Sequence, residues 1–270
     1  MSDRDEALKQ NRRAWDALVS KKDRFTRPVK DEDLHDPLAT IDGIGWLGGS
    51  LAGKDVLCLA AGGGKHSALY AQAGARVTVV DLSPAMLELD REVATERGLP
   101  VRAVEASMDD LSALDSASFD FVIHPVSTCY LPSVAATYAE VARVTRPDGV
   151  YVSQHKQPTS LQTGQRPDGG AYRLETPYYT TDPLPNVVGS RLREEGTREF
   201  LHRWEDLLGG LCRAGFWIED LIEPLHARID AAPGEFGHRC RYAAPYVRIK
   251  ARRRTDVAAR PAVRTLWLPG

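Results

Sequence analysis

The 270 residues balance 35 Lys and Arg against 37 Asp and Glu, a formal net charge of −2, so the chain as a whole carries no electrostatic footprint for nucleic acid. Its four cysteines, Cys58, Cys129, Cys212 and Cys240, are scattered without a C-x-x-C pair, which argues against a zinc site or a disulfide framework and for a reducing compartment. No apolar signal region opens the chain and no segment is apolar enough to span a membrane, so a cytoplasmic protein with no membrane partner is expected.

In chain order, residues 4–20 read as a charged amphipathic helix with Leu8, Trp15 and Leu18 on one side. Residues 21–40 are polar and proline-bearing, hence loop, and Ile41 to Leu51 suits a short helix carrying Trp46 and Leu47. Apolar runs then predict strands near 55–59, 76–81, 101–104, 119–124 and 148–155, alternating with helical patterns as in βαβ units. Between 156 and 198 the pattern breaks into Pro, Gly, Thr and Tyr; an excursion this long within one domain reads as a cover over a binding site. Tyr172, Tyr178 and Tyr179 lie in it as candidates to line an acceptor pocket. A helix at 203–214 and strands near 216–223 and 244–251 follow. Beyond Thr255 no period is visible, and Trp267 is the residue expected to pin that tail. The basic run Lys250-Ala-Arg-Arg-Arg254 reads as a solvated strand end.

The stretch richest in information is Asp55-Val-Leu-Cys-Leu-Ala-Ala-Gly-Gly-Gly-Lys-His66, followed by Val77-Thr-Val-Val-Asp81. A strand stops at small residues, a helix resumes at once, and the next strand ends in a carboxylate. Bare backbone at Ala60, Ala61, Gly62 and Gly64 admits a ligand close to amide groups at a helix start, where a side chain at Gly62 would occupy the ligand's space. Asp81 is placed to accept both hydroxyls of a ribose. Lys65 stands where a dinucleotide fingerprint needs its third glycine, so a nucleoside is expected without the pyrophosphate.

The spacing Cys58-x-Ala60-x-Gly62-x-Gly64 resembles the first motif of class I S-adenosylmethionine methyltransferases, D/E-x-G-x-G-x-G, with Cys58 for the acid and Ala60 for the first glycine. Asp81-Leu-Ser-Pro-Ala-Met86 resembles the second motif, Ala106-Ser-Met-Asp-Asp-Leu111 the loop after the third strand, and Ser118-Phe-Asp-Phe-Val122 the fourth strand. Glu140-Val-Ala-Arg-Val-Thr-Arg-Pro-Asp-Gly149 and the late Ala214-Gly-Phe216 complete the order, over roughly residues 53–252, in the manner of a bacterial type-11-like small-molecule subgroup. The resemblance implies a Rossmann-like α/β fold: a seven-stranded sheet with an antiparallel last strand and helices on both faces. An N-terminal helical cap (1–52), a methyltransferase domain (53–255) with the 156–198 insertion after strand five, and a tail (256–270) divide the chain.

It further implies S-adenosylmethionine as cofactor and S-adenosylhomocysteine as product. The contacts implied are Ala60, Ala61, Gly62 and Gly64 on the turn, Asp81 on the ribose, Leu82 and Met86 flanking adenine, and Met108 and Asp109 at its edge, with His124 as a polar contact and Trp15 closing over the cofactor. Histidines end the fourth and fifth strands at the crevice, so His124 and His155 are the candidate general bases for an O, N or C nucleophile of a small molecule. His66, His202, His226 and His238 read as surface or capping residues, and Asp109-Asp110 lacks a third oxygen ligand for a metal. An RNA, DNA or protein methyltransferase is the rival reading, weakened by the absence of a basic appendage and of N-P-P-Y or D-P-P-Y after strand four. A module that keeps adenosylmethionine without transferring its methyl group is the other.

Overall fold

In a computed structural model that describes residues 2–255, each strand follows from an apolar run flanked by turn chemistry. Helix α1 (Asp3–Ser20) starts at a capping box in which Ser2 and Asp5 satisfy each other's backbone N–H. A one-turn helix α2 (Pro37–Ile41) precedes β1 (Asp55–Leu59), α3 (His66–Gln72), β2 (Arg76–Asp81), α4 (Pro84–Arg97) and β3 (Val101–Glu105). Then come β4 (Phe119–His124), α5 (Ala135–Val144), β5 (Thr145–Lys156), α6 (Pro158–Gln162), α7 (Gly210–Arg213), β6 (Phe216–Ile222), α8 (Phe236–Arg239) and β7 (Tyr246–Arg253). Ser83 caps α4 with Pro84 at its first position, and Gly98 ends it in the left-handed region at φ 63°.

The seven strands form one sheet in the order β3-β2-β1-β4-β5-β7-β6. β3, β2, β1, β4 and β5 are parallel, while β7 runs antiparallel to both β5 and β6. A parallel interior is buried on both faces, and the sequence obeys this: Val56 and Cys58 pack with Val77 and Val79 on one face, Leu57 and Leu59 with Val122 and Tyr151 on the other. The strand order reverses between β1 and β4, which opens a crevice beyond their carboxyl ends.

One expectation is corrected. The helix at 41–51 does not form: the Asp42 carboxylate accepts the N–H groups of Trp46 and Leu47 and turns the chain, with Gly45, Gly48 and Gly49 at positive φ. The late helix forms where expected, with π geometry over Glu205–Gly209 running directly into α7. The insertion packs around its own small core of Leu161, Leu184, Leu192 and Leu201. The tail with Trp267 lies outside the described residues. Among the described residues no helix is long and apolar enough to cross a membrane.

Candidate functional site

At the crevice, the turn between β1 and α3 is fixed by carboxylates. Asp81, ending β2, accepts the Gly62 N–H on Oδ2 at 2.9 Å and the Ser83 N–H on Oδ1 at 2.9 Å. Asp90, buried on α4, accepts the Gly63 N–H at 2.9 Å, the Gly64 N–H at 3.0 Å and the Ser67 hydroxyl. Burial raises the Asp81 carboxyl above its usual range and pushes Asp90 up to about 6. The amides expected to face a ligand are therefore taken by the protein itself.

The glycines act through packing as much as through ligand space. A Cβ on Gly62 would lie 2.8 Å from the Met86 Cβ and 3.0 Å from Asp81 Oδ2, so its neighbours, before any ligand, exclude a side chain. At Gly64, φ +72°, a Cβ would meet the Leu89 carbonyl and the Val93 side chain, each at 2.8 Å; this residue lets α4 close on the turn and does not border the crevice. Ala60 sits at φ 48°, the left-handed region that a glycine would occupy freely.

The crevice is a cavity of about 600 Å³. At one end Ala60–Gly63, Asp81, Leu82, Met86, Ala106, Ser107 and Met108 line a slot with apolar flanks and a single carboxylate. Trp15 from α1 stands over it, edge-on to Tyr130 with ring centroids 6.0 Å apart. At the other end Tyr130, Gln154, Glu194, His226, Tyr246 and Arg248 continue the wall, with His66 and residues from 24–33 at the mouth. Asp109 is not part of this wall: its carboxylate is held by Arg4, with Nε at 2.5 Å and Nη2 at 3.0 Å, and by the Ser107 hydroxyl, which ties α1 across the sheet ends.

The two histidines do not reach the cavity. His124 has Nδ1 2.7 Å from the Tyr151 hydroxyl and Nε2 2.6 Å from Ser127 Oγ. His155 has Nδ1 2.8 Å from Thr128 Oγ1 and Nε2 2.8 Å from Ser153 Oγ. Both are 1% exposed, and burial pushes His124 down to about 3 and His155 well below the ordinary imidazole value. They are neutral, doubly hydrogen-bonded groups one layer beneath the crevice. Nor do the insertion tyrosines line it: Tyr172 stacks on His238 and Tyr242, Tyr178 accepts the Trp204 N–H, and Tyr179 is 76% exposed. His66 and His226, read from sequence as surface or capping residues, both border the cavity, while His202 and His238 are buried.

Sequence reasoning missed a buried ionic cluster behind the far wall. Lys156, the last residue of β5, donates to Glu194 at 2.7 Å and Glu199 at 2.9 Å, and Tyr130 donates to Glu194 at 2.7 Å. Asn11 on α1 bonds the Tyr130 carbonyl and both backbone groups of Arg198, so cap, crevice and insertion are fastened together. The available signal was Lys156 itself, a charge closing the otherwise apolar Val150-Tyr-Val-Ser-Gln-His-Lys run.

Residues 57–153 match a methyltransferase domain family. The uncharacterised methyltransferase YbaJ of Bacillus subtilis is 31% identical over 228 residues, covering 79% of this chain and 89% of its own. A ubiquinone biosynthesis O-methyltransferase of Aromatoleum aromaticum is 38% identical over 99 residues, 37% of this chain and 42% of that one. The crystal structure of an S-adenosylmethionine dependent methyltransferase from Mesorhizobium loti shares the fold, with a TM-score of 0.61 at 21% identity over 82% of this chain and 100% of that chain. With a carboxylate at the β2 tip, a phosphate-averse turn and this kinship, the chain belongs to the class I S-adenosylmethionine-dependent methyltransferases.

Proposed function

We propose that the enzyme methylates an O, N or C nucleophile of a small molecule bound in the far half of the cavity. One observation carries this reading: the nucleoside slot continues, past Met108 and Tyr130, into a chamber walled by Gln154, Glu194, His226 and Tyr246. The whole, at about 600 Å³, falls within the roughly 300–1,000 Å³ of small-molecule sites. The partial match to a ubiquinone biosynthesis O-methyltransferase agrees with an acceptor of that size.

The residues present fit the cofactor. Each Asp81 oxygen accepts one backbone N–H and keeps a lone pair for a ribose hydroxyl, while Leu82, Met86 and Met108 flank the plane of a base. Adenosylmethionine supplies an electrophilic methyl group that needs no metal or protein nucleophile. The chain's own part is to orient the acceptor, exclude water under Trp15 and the 24–33 segment, and offer polar groups at Tyr130 and Glu194. Cys58 is buried in the sheet and does not line the cavity, and His124 and His155 hold Ser127 and Thr128 rather than a substrate proton.

The test is a calorimetric titration with adenosylmethionine and adenosylhomocysteine, followed by incubation with small-molecule extracts and detection of adenosylhomocysteine. Micromolar binding with extract-dependent turnover is expected. Binding with turnover only on added RNA, DNA or protein would replace the small-molecule reading, and binding without any turnover would leave a cofactor-holding module.

A further inference from the structure

We infer that the acceptor carries a phosphorylated, multiply anionic tail, which lies outside the cavity in a basic groove along α1; this deepens the small-molecule reading and rests on it. The groove runs between α1 and residues 189–198, with a volume of about 1080 Å³, and adjoins the reaction cavity, the two sharing Arg24, Phe25, Arg27 and Glu194. Lys9 and Arg13 stand one turn apart on α1 and Lys21 caps its end, with Ala14 and Ala17 also lining the groove. Lys22, Arg24 and Arg27 extend the row to the cavity mouth.

What sets this surface apart is how many unpaired cations gather on one groove, where others are matched: Arg76 and Arg146 by Asp55, Arg143 by Glu140, and Lys250 and Arg252 by Glu219. In the groove, Lys9, Arg13, Lys21, Lys22, Arg24 and Arg27 have no carboxylate partner among the described residues. Of the acids that border it, Glu6 is paired with Arg198 and Glu194 with Lys156, which leaves Asp23 and Glu195 to offset six cations. Holding that many like charges on one face of a chain whose net charge is −2 opposes folding, so the row points to a ligand of opposite sign.

The nucleoside cofactor is not that ligand. It carries no phosphate, and the glycine-turn amides that could have held one are closed by Asp81 and Asp90. A small molecule whose reactive head enters past Arg27 while its phosphates lie along Lys21, Arg13 and Lys9 uses both spaces at once.

Tripolyphosphate serves as the probe, titrated calorimetrically into the full chain saturated with adenosylhomocysteine at low salt. Wild type should bind it, and the double charge reversal R13E/K21E should weaken it about tenfold or more, the difference shrinking as salt rises. R102E, a reversal of an exposed cation on β3, should leave tripolyphosphate binding unchanged. Adenosylhomocysteine affinity, read on the same samples, reports the cofactor site separately: its loss in wild type would sink the methyltransferase reading, not the groove. No tripolyphosphate binding by wild type, equal binding by R13E/K21E, or equal weakening by R102E would overturn the proposal. So would a preference of more than tenfold for a single-stranded oligonucleotide, which would give the groove to nucleic acid.

Discussion

Removing the Asp81 carboxylate gives the sharpest reading of the nucleoside end. In Asp81→Ala two charge-assisted hydrogen bonds to ribose hydroxyls are lost, each worth about 1.5–3 kcal/mol. Water readmitted to the slot restores part of this, so the net loss falls at about 3 kcal/mol, the low end of the sum. At about 1.4 kcal/mol per tenfold this is a weakening of adenosylhomocysteine binding by roughly 100-fold. The same change strips the Gly62 and Ser83 N–H groups of their acceptor, so thermal unfolding must accompany the titration to show that the variant is folded. Asp81→Asn keeps an acceptor for one of those N–H groups and should be better folded while still losing most of the affinity. Methylthioadenosine, which retains the ribose, should lose as much as adenosylhomocysteine, whereas free adenine should bind the variant and wild type alike. A folded Asp81→Ala protein that binds adenosylhomocysteine within a factor of two of wild type would refute the ribose assignment.

Further outcomes follow from the same geometry. Lys156→Met leaves Glu194 buried without its cation and Glu199 with Arg193 alone, and should destabilise the fold by about 3–5 kcal/mol in denaturant titration; a loss below 1 kcal/mol would contradict the cluster's role. His124 and His155 titrate far lower folded than unfolded, so the unfolded chain takes up their protons first and stability should fall as pH drops below about 6.5. Asp90, raised to about 6, runs the other way and favours the fold as it protonates; His124→Asn should flatten the acid-side slope by about one proton, and an unchanged slope would count against a neutral buried His124. Ala60→Gly relieves a left-handed alanine and should stabilise the fold by about 0.5 kcal/mol after the entropic cost of glycine, whereas Gly64→Ala, driven against Leu89 and Val93, should cost about 1–3 kcal/mol; chemical denaturation of the pair decides both.

What the sequence made legible was local. Runs such as Val56–Leu59 and Val77–Val80 need only neighbours to declare a strand, and Asp81 at a strand tip needs only its place in a βαβ unit. The misplaced histidines show where local reading stops. Ending a strand puts a residue at the crevice level, but strand parity decides which side it takes. His155 shares its face with Ser153 and Tyr151, and His124 with Val122, the side packed on Tyr138. Gln154, of opposite parity, is the one that borders the cavity. Tyr130 and Glu194 are 64 positions apart and meet only because Asn11 draws the insertion onto α1, a contact without a periodic signature. The insertion's core is built of leucines, and its tyrosines turn to partners distant in sequence, Tyr172 to His238 and Tyr242 and Tyr178 to Trp204, which no local pattern announces.

The carboxylates that close the glycine turn also decide what the slot refuses. A nucleotide such as ATP presents the same adenosine, but its phosphates would arrive at amides already given to Asp81 and Asp90 and beside a negative charge. Discrimination between two ligands is a difference of affinities, and a repulsive element against the competitor serves as well as an attraction for the partner. In a cell where adenine nucleotides abound, the enzyme stays open to a sulfonium because its turn has been made useless to phosphate.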